Sequence, residues 1–235
     1  MSISTDWIAK ESKRVTLFAG HYGSGKTNVA INYALELKKQ NDKVMIADLD
    51  IVNPYFRTKD GAEVLEEHGI RLISSIFANS NVDTPAMPAE AYAVIDQKDA
   101  AAVIDVGGDD RGALALGRYM PSLKEENNYD MLLVINSFRP LTRNGQDTEE
   151  IVREIEMAAA AKFTGIVHNS NLGAETTAQD VLDSVAYAED IAKRLQLPIR
   201  MTTVRKDLAA QLEGKIERLV PIDIYVQQSW IREKV

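Results

Sequence analysis

The sequence predicts an α/β fold in which a mostly parallel central sheet lies between two layers of helices, as a single three-layer domain over residues 1–235. Three observations carry this expectation. Short apolar runs alternate with stretches of helical spacing along nearly the whole chain, and a glycine-rich turn joins the first apolar run to the first long helical stretch. No linker-like shift of composition divides the 235 residues into two units.

The elements follow in order. Residues 4–14 read as a short amphipathic helix packed on the sheet edge, with Trp7 and Ile8 apolar against Lys10, Glu11, Lys13 and Arg14. Residues 15–19 are a continuous apolar run, as a buried strand requires. The next helix starts at Lys26, carries Val29, Ala30, Tyr33, Ala34 and Leu37 at helical spacing, and is broken at Asn41-Asp42. Strands at 44–47, 70–76, 100–105, 131–136, 165–168, 199–204 and 220–226 then alternate with helical stretches at 58–68, 89–97, 114–126, 147–162, 177–195 and 206–212. Such alternation implies right-handed crossovers and a parallel sheet. The Pro- and Asn-containing segment 78–88 reads equally as a lid or partner contact and as a plain connection. Residues 227–235, with Trp230 and Ile231 beside Arg232 and Lys234, are too short and too weakly basic for a membrane-surface helix and are expected to dock on the domain.

Composition narrows the function classes. With 45% hydrophobic and 26% charged residues the chain has the make-up of a soluble globular protein, and a formal charge of −8 leaves no basic footprint for nucleic acid. The absence of cysteine excludes disulfides, thiolate zinc sites and cysteine-held iron–sulfur clusters within the chain. Neither a signal-peptide run nor a stretch approaching the roughly 20 apolar residues of a membrane span is present, so the expected location is cytoplasmic.

The chemistry concentrates at the ends of the apolar runs. Gly20-His21-Tyr22-Gly23-Ser24-Gly25-Lys26-Thr27 satisfies G-x-x-x-x-G-K-S/T between a strand and a helix. The glycines let successive N–H groups point into one concavity, the helix presents its positive end there, and the Lys ammonium and Thr hydroxyl add a phosphate clamp and a magnesium ligand. The expected triphosphate-binding set is Gly20, His21, Tyr22, Gly23, Ser24, Gly25, Lys26, Thr27 and Asn28. Asp48 and Asp50 stand two residues apart beyond the second strand, at the edge where open α/β sheets bind ligands; the alternative is a solvated strand end and helix cap. Asp105 ends an apolar run, as a magnesium-site carboxylate does, and Gly107-Gly108 permit close backbone approach to a γ-phosphate or a loop that moves when it leaves. Asn169 could read the N6 and N7 edge of adenine, or simply satisfy loop backbone. His168, ending an apolar strand, reads as a buried hydrogen-bonded side chain ahead of a catalytic base.

With these four patches together, the chain resembles the MinD/ParA/CobQ-type (SIMIBI class) P-loop ATPases. The resemblance covers nearly the whole chain in motif order and implies the P-loop NTPase fold, ATP and Mg²⁺ as ligands, and slow ATP hydrolysis. It places phosphates and magnesium on Lys26 and Thr27, the attacking water on Asp50, the metal on Thr27, Asp50 and Asp105, and adenine on Asn169. It also implies a nucleotide-gated switch or a maturation or assembly factor, working as a homodimer or on a protein client. Partitioning and metal-maturation relatives usually carry an extra lysine that reaches the partner's nucleotide, where this chain has His21. Arg57, Arg111 and Arg139, each beside a motif loop, are the candidate replacement cations. The dethiobiotin synthetase and cobyrinate amidation branches also lack that lysine, so an ATP-dependent small-molecule kinase or ligase is the alternative.

Overall fold

The computed structural model describes residues 3–49, 59–74, 92–108 and 110–226. Among these, eight strands form one sheet in the order β3-β2-β4-β1-β5-β6-β7-β8. The strands are β1 (Val15–Ala19), β2 (Val44–Asp48), β3 (Arg71–Ser74), β4 (Ala101–Asp105), β5 (Tyr129–Ile135), β6 (Gly165–His168), β7 (Ile199–Arg205) and β8 (Leu219–Ile222). Every paired neighbour is parallel, so the sheet is wholly rather than mostly parallel among the described residues. Strand β1 sits where the order reverses, with β4 on one side and β5 on the other, and its C-terminal end therefore opens into a crevice.

The alternation of side chains along each strand splits the core in two. One face of the sheet buries Leu17, Met45, Ile104, Leu133 and Ile166 beneath α4 (Ala93–Asp96), α5 (Asp110–Gly117), α6 (Met120–Glu126), α7 (Gly145–Ala159) and α9 (Val185–Leu195). The other buries Phe18, Ile46, Val103, Val134 and Val167 beneath α1 (Trp7–Glu11), α2 (Lys26–Lys38) and α3 (Lys59–Glu67). A smaller cluster joins α8 (Ala178–Asp183) and α10 (Ala209–Leu212) to Val204 and Leu219. Helices on both faces explain why the strands read as continuous apolar runs.

Several boundaries differ from the sequence expectation, each for a local reason. The stretch 114–126 is two helices, because Pro121 lies in the first turn of α6, where a missing N–H is harmless and the preceding residues are turned out of the helix. The stretch 177–195 breaks at Ser184, whose hydroxyl bonds back to the Val181 carbonyl at 2.8 Å. Helix α8 opens on a reciprocal capping box between Thr177 and Asp180. The final strand ends at Ile222, because the backbone of residues 223–226 is bonded by side chains of α2 and not by the sheet. The N-terminal helix is shorter than residues 4–14; Thr5 donates to Glu36 at 2.7 Å, which ties this end to α2. The segment 78–88, Asp50, Arg57 and residues 227–235 lie outside the described residues, as does the side chain of Arg111.

Candidate functional site

The glycine-rich turn between β1 and α2 lies at the C-terminal end of the central strand. Its last glycine, Gly25, is the N-cap of α2 with φ 89°. A Cβ there would meet the Asn169 amide nitrogen at 2.3 Å, so both conformation and space require glycine. Lys26, only 8% exposed, folds its ammonium back onto the His21 carbonyl at 3.2 Å. The Ser24 hydroxyl is buried and has no hydrogen-bond partner among the described residues. The first-turn N–H groups of α2 lack intrahelical acceptors, and the helix dipole adds positive potential at the same place. Such a cradle suits an anion.

Beside it, Thr27 Oγ1 donates to Asp105 Oδ2 at 2.6 Å. Asp105 is buried at the end of β4, in register with Phe18 on one side and Asp48 on the other. The Leu49 amide bonds to the Asp105 carbonyl at 2.9 Å, which fixes the exit of β2 against β4. Hydroxyl and carboxylate are hard oxygen donors, the type Mg²⁺ takes. Among the described residues no three or more His, Asp or Glu side chains gather into a metal cage. Mg²⁺ does not need one, since it keeps several waters and is completed by substrate phosphates. Gly108, after β4, packs so tightly that a Cβ would fall 2.7 Å from the Tyr22 backbone nitrogen and 3.1 Å from the Lys26 ammonium. The Gly107-Gly108 loop therefore lies directly on the cradle.

The opposite wall comes from β5, β6 and β7. Asn169, buried after β6, donates through Nδ2 to the Ser24 carbonyl at 2.7 Å and accepts through Oδ1 from the Thr203 hydroxyl at 2.7 Å. Its amide thus braces the loop apex against β7. Arg139, in the turn after β5, donates through Nε to the Gly23 carbonyl at 2.7 Å. His168 is buried, with Nε2 3.0 Å from the Ser170 hydroxyl and 2.9 Å from that of Ser184. Burial lowers its pKa to about 4, so at neutral pH it is an uncharged core side chain.

The structure brings residues 20–27, Asp48, Asp105, Asn169 and Arg139 to one edge of the sheet. The Asn28 side chain turns away from the cradle. Its Nδ2 bonds the Val226 carbonyl at 3.0 Å and its Oδ1 accepts from the amides of Tyr225 and Val226, both at 2.9 Å. The sequence reading missed Asn32, which bonds both backbone groups of Asp223, and Asn136, which is fully buried and joins the loops after β5 and β6. Polar residues inside apolar or helical runs were the available signal for both, without naming their partners.

No protein-family model matches the sequence, and no curated protein does. Solved structures do. FtsY from Mycoplasma mycoides is similar with a TM-score of 0.50 and 20% identity over 81% of this chain and 59% of that one. Cell division protein FtsY from Thermotoga maritima gives 0.52 and 22% over 81% and 61%. FlhF complexed with GTP and Mg²⁺ gives 0.50 and 16% over 81% and 65%. The fold is that of the P-loop NTPases. The chain spans less than two thirds of the length of each of these structures. At such identities the likeness is one of fold.

Proposed function

We propose that the protein binds ATP with Mg²⁺ and hydrolyses it slowly as a nucleotide-gated switch of the MinD/ParA/CobQ type, acting as a homodimer or on a protein client. The observation that carries this reading is the Thr27–Asp105 pair, 2.6 Å apart beside Lys26 at the mouth of the anion cradle. Lys26 and the backbone amides of residues 21–28 hold the phosphates; Asn28 contributes its N–H, its side chain being engaged elsewhere. Mg²⁺ on Thr27 and Asp105 would neutralise phosphate charge. Asp50 is assigned the attacking water and a share of the metal. The Gly107-Gly108 loop, resting on Tyr22 and Lys26, is the element whose position a γ-phosphate would bias.

The choice of ATP over GTP rests on the resemblance to the MinD/ParA/CobQ-type ATPases. The Asn169 amide, assigned to adenine by that resemblance, is buried and bonded to Ser24 and Thr203, so it braces the loop and does not read the base. The FlhF neighbour was solved with GTP, so the base is where this chain is proposed to part from it.

Titration calorimetry with Mg·ATP and Mg·GTP, phosphate release, and light scattering in each nucleotide state test the reading. ATP should bind more tightly than GTP, and Thr27→Ala should lose roughly tenfold or more of its affinity with Mg²⁺ but little in EDTA. Preference for GTP would overturn the base assignment. Unchanged mass and no client in any nucleotide state, with nucleotide-dependent thermal stabilisation by a carboxylic acid metabolite, would replace the switch by the kinase or ligase reading.

A further inference from the structure

Position 21 holds a histidine whose Nδ1 lies 3.1 Å from the Tyr22 carbonyl, so its ring is occupied with local backbone. A different residue brings permanent charge to the loop. Arg139 stands in a turn fixed by the fully buried Asn136, whose carbonyl accepts from the Arg139 amide at 3.1 Å and whose Oδ1 accepts from the Phe138 amide at 3.0 Å. From there its guanidinium lies against the apex of the cradle. Nε bonds the Gly23 carbonyl at 2.7 Å, and a Cβ on Gly23 would meet Nε at 3.3 Å and Cζ at 3.4 Å. Arg14, Arg153, Arg194, Arg200, Arg205 and Arg218 are each paired with a carboxylate. Among the described residues Arg139, like Arg118 and Arg143, has no such partner, and of the three it is Arg139 that bonds the glycine-rich turn, with its Nη donors not engaged.

We propose that Arg139 supplies in cis a permanent positive charge at the apex of the cradle, stabilising the triphosphate of the nucleotide held by its own chain. This rests on the nucleotide reading above and deepens it. In hydrolysis the water oxygen bonds to the γ-phosphorus and the bond to the β–γ bridging oxygen breaks. That oxygen leaves with the electron pair on ADP, and the water protons pass to phosphate and solvent. Arg139 exchanges no proton, since a guanidinium stays charged; it lowers the cost of the negative charge gathering on the bridging and γ oxygens. Its action needs no second subunit. An arginine is suited to this double task because one edge of its planar fork can hold a carbonyl while the other faces an anion.

Three variants separate charge from scaffolding. Arg139→Gln can still donate an N–H to Gly23 but carries no charge, Arg139→Lys keeps the charge without the fork, and Arg139→Ala removes both. Affinities for Mg·ATP and Mg·ADP, kcat and KM are measured for each, with thermal melting as a folding control. The expected result is that Arg139→Gln binds ADP within about twofold of the parent, loses most of its preference for ATP over ADP, and loses roughly tenfold or more in kcat, while Arg139→Lys retains more of both. Unchanged kcat and ATP preference in Arg139→Gln would overturn the proposal. So would losses of ATP and ADP binding that match each other and fall mainly on Arg139→Ala, because a purely structural brace predicts that pattern. If the parent protein binds no nucleotide, the underlying reading falls and the proposal with it; the parent's ADP affinity makes the two failures distinguishable.

Discussion

The carboxamide of Asn169 spends its donor on Ser24 and its acceptor on Thr203, both at 2.7 Å and both out of reach of solvent. An alanine there strands the buried Ser24 carbonyl, a cost of about 1–3 kcal/mol, and leaves the Thr203 hydroxyl only the His168 carbonyl at 3.4 Å, a loss of about 1 kcal/mol more. Asn169→Ala should therefore lose about 2–4 kcal/mol in urea unfolding, taking both bonds together. It should also weaken nucleotide binding, since the apex at Ser24 is no longer braced; unchanged stability would mean that water replaces the amide. The residue was visible in the sequence because an asparagine beyond a buried strand is conspicuous. Its partners were not, because Ser24 lies 145 positions away and meets it only through the pairing of β1, β5 and β6. The phosphate motif was readable for the opposite reason: its chemistry is local, fixing residue types at fixed spacing around one turn.

At the scale of elements, α2 links the cradle to the far end of the chain. Its first residue is Lys26, and the side chains of Asn28 and Asn32 hold the backbone of residues 223–226 as a sheet neighbour would. An amide that donates and accepts at once can replace a strand edge, which is why β8 ends where it does. Asn32→Ala removes both bonds to Asp223, each worth about 1 kcal/mol. Hydrogen exchange should then accelerate by roughly tenfold or more at the Asp223 amide, while the amides of Tyr225 and Val226 respond chiefly to Asn28→Ala. Equal effects of both variants at all three amides would show that the clamp opens as one unit. The sequence misled here because residues 220–226 form a continuous apolar-rich run, and period alone does not tell a strand from a segment pinned by side chains. The long helical pattern at 177–195 misled similarly: its spacing continues through Ser184, but the hydroxyl there turns back on Val181 and meets His168.

For the whole molecule the acid response follows from two groups that titrate far from their ordinary ranges. Burial brings the His168 imidazole from 6.5 to about 4 in the folded chain. Between those values the unfolded state binds a proton that the folded state does not, so stability rises with pH across that window and falls as acid is added. The contribution is fully present above pH 6.5 and is lost by about pH 4, a difference of about 3 kcal/mol. Glu126 follows at lower pH. The Arg14 guanidinium bonds it at both oxygens, with Lys98 also in contact, and holds its carboxyl at about 2 against an ordinary 4.5. Its support is present above pH 4.5 and fades as pH falls towards 2, after His168 has already taken its share. Urea unfolding of the parent and of His168→Gln, at intervals from pH 7.5 to 4, separates the two. The variant should begin less stable at neutral pH, having lost the contacts with Ser170 and Ser184, yet fall less steeply between pH 6.5 and 4. Parallel curves in that interval would place the acid sensitivity elsewhere and make His168 titrate alike in the folded and unfolded chains.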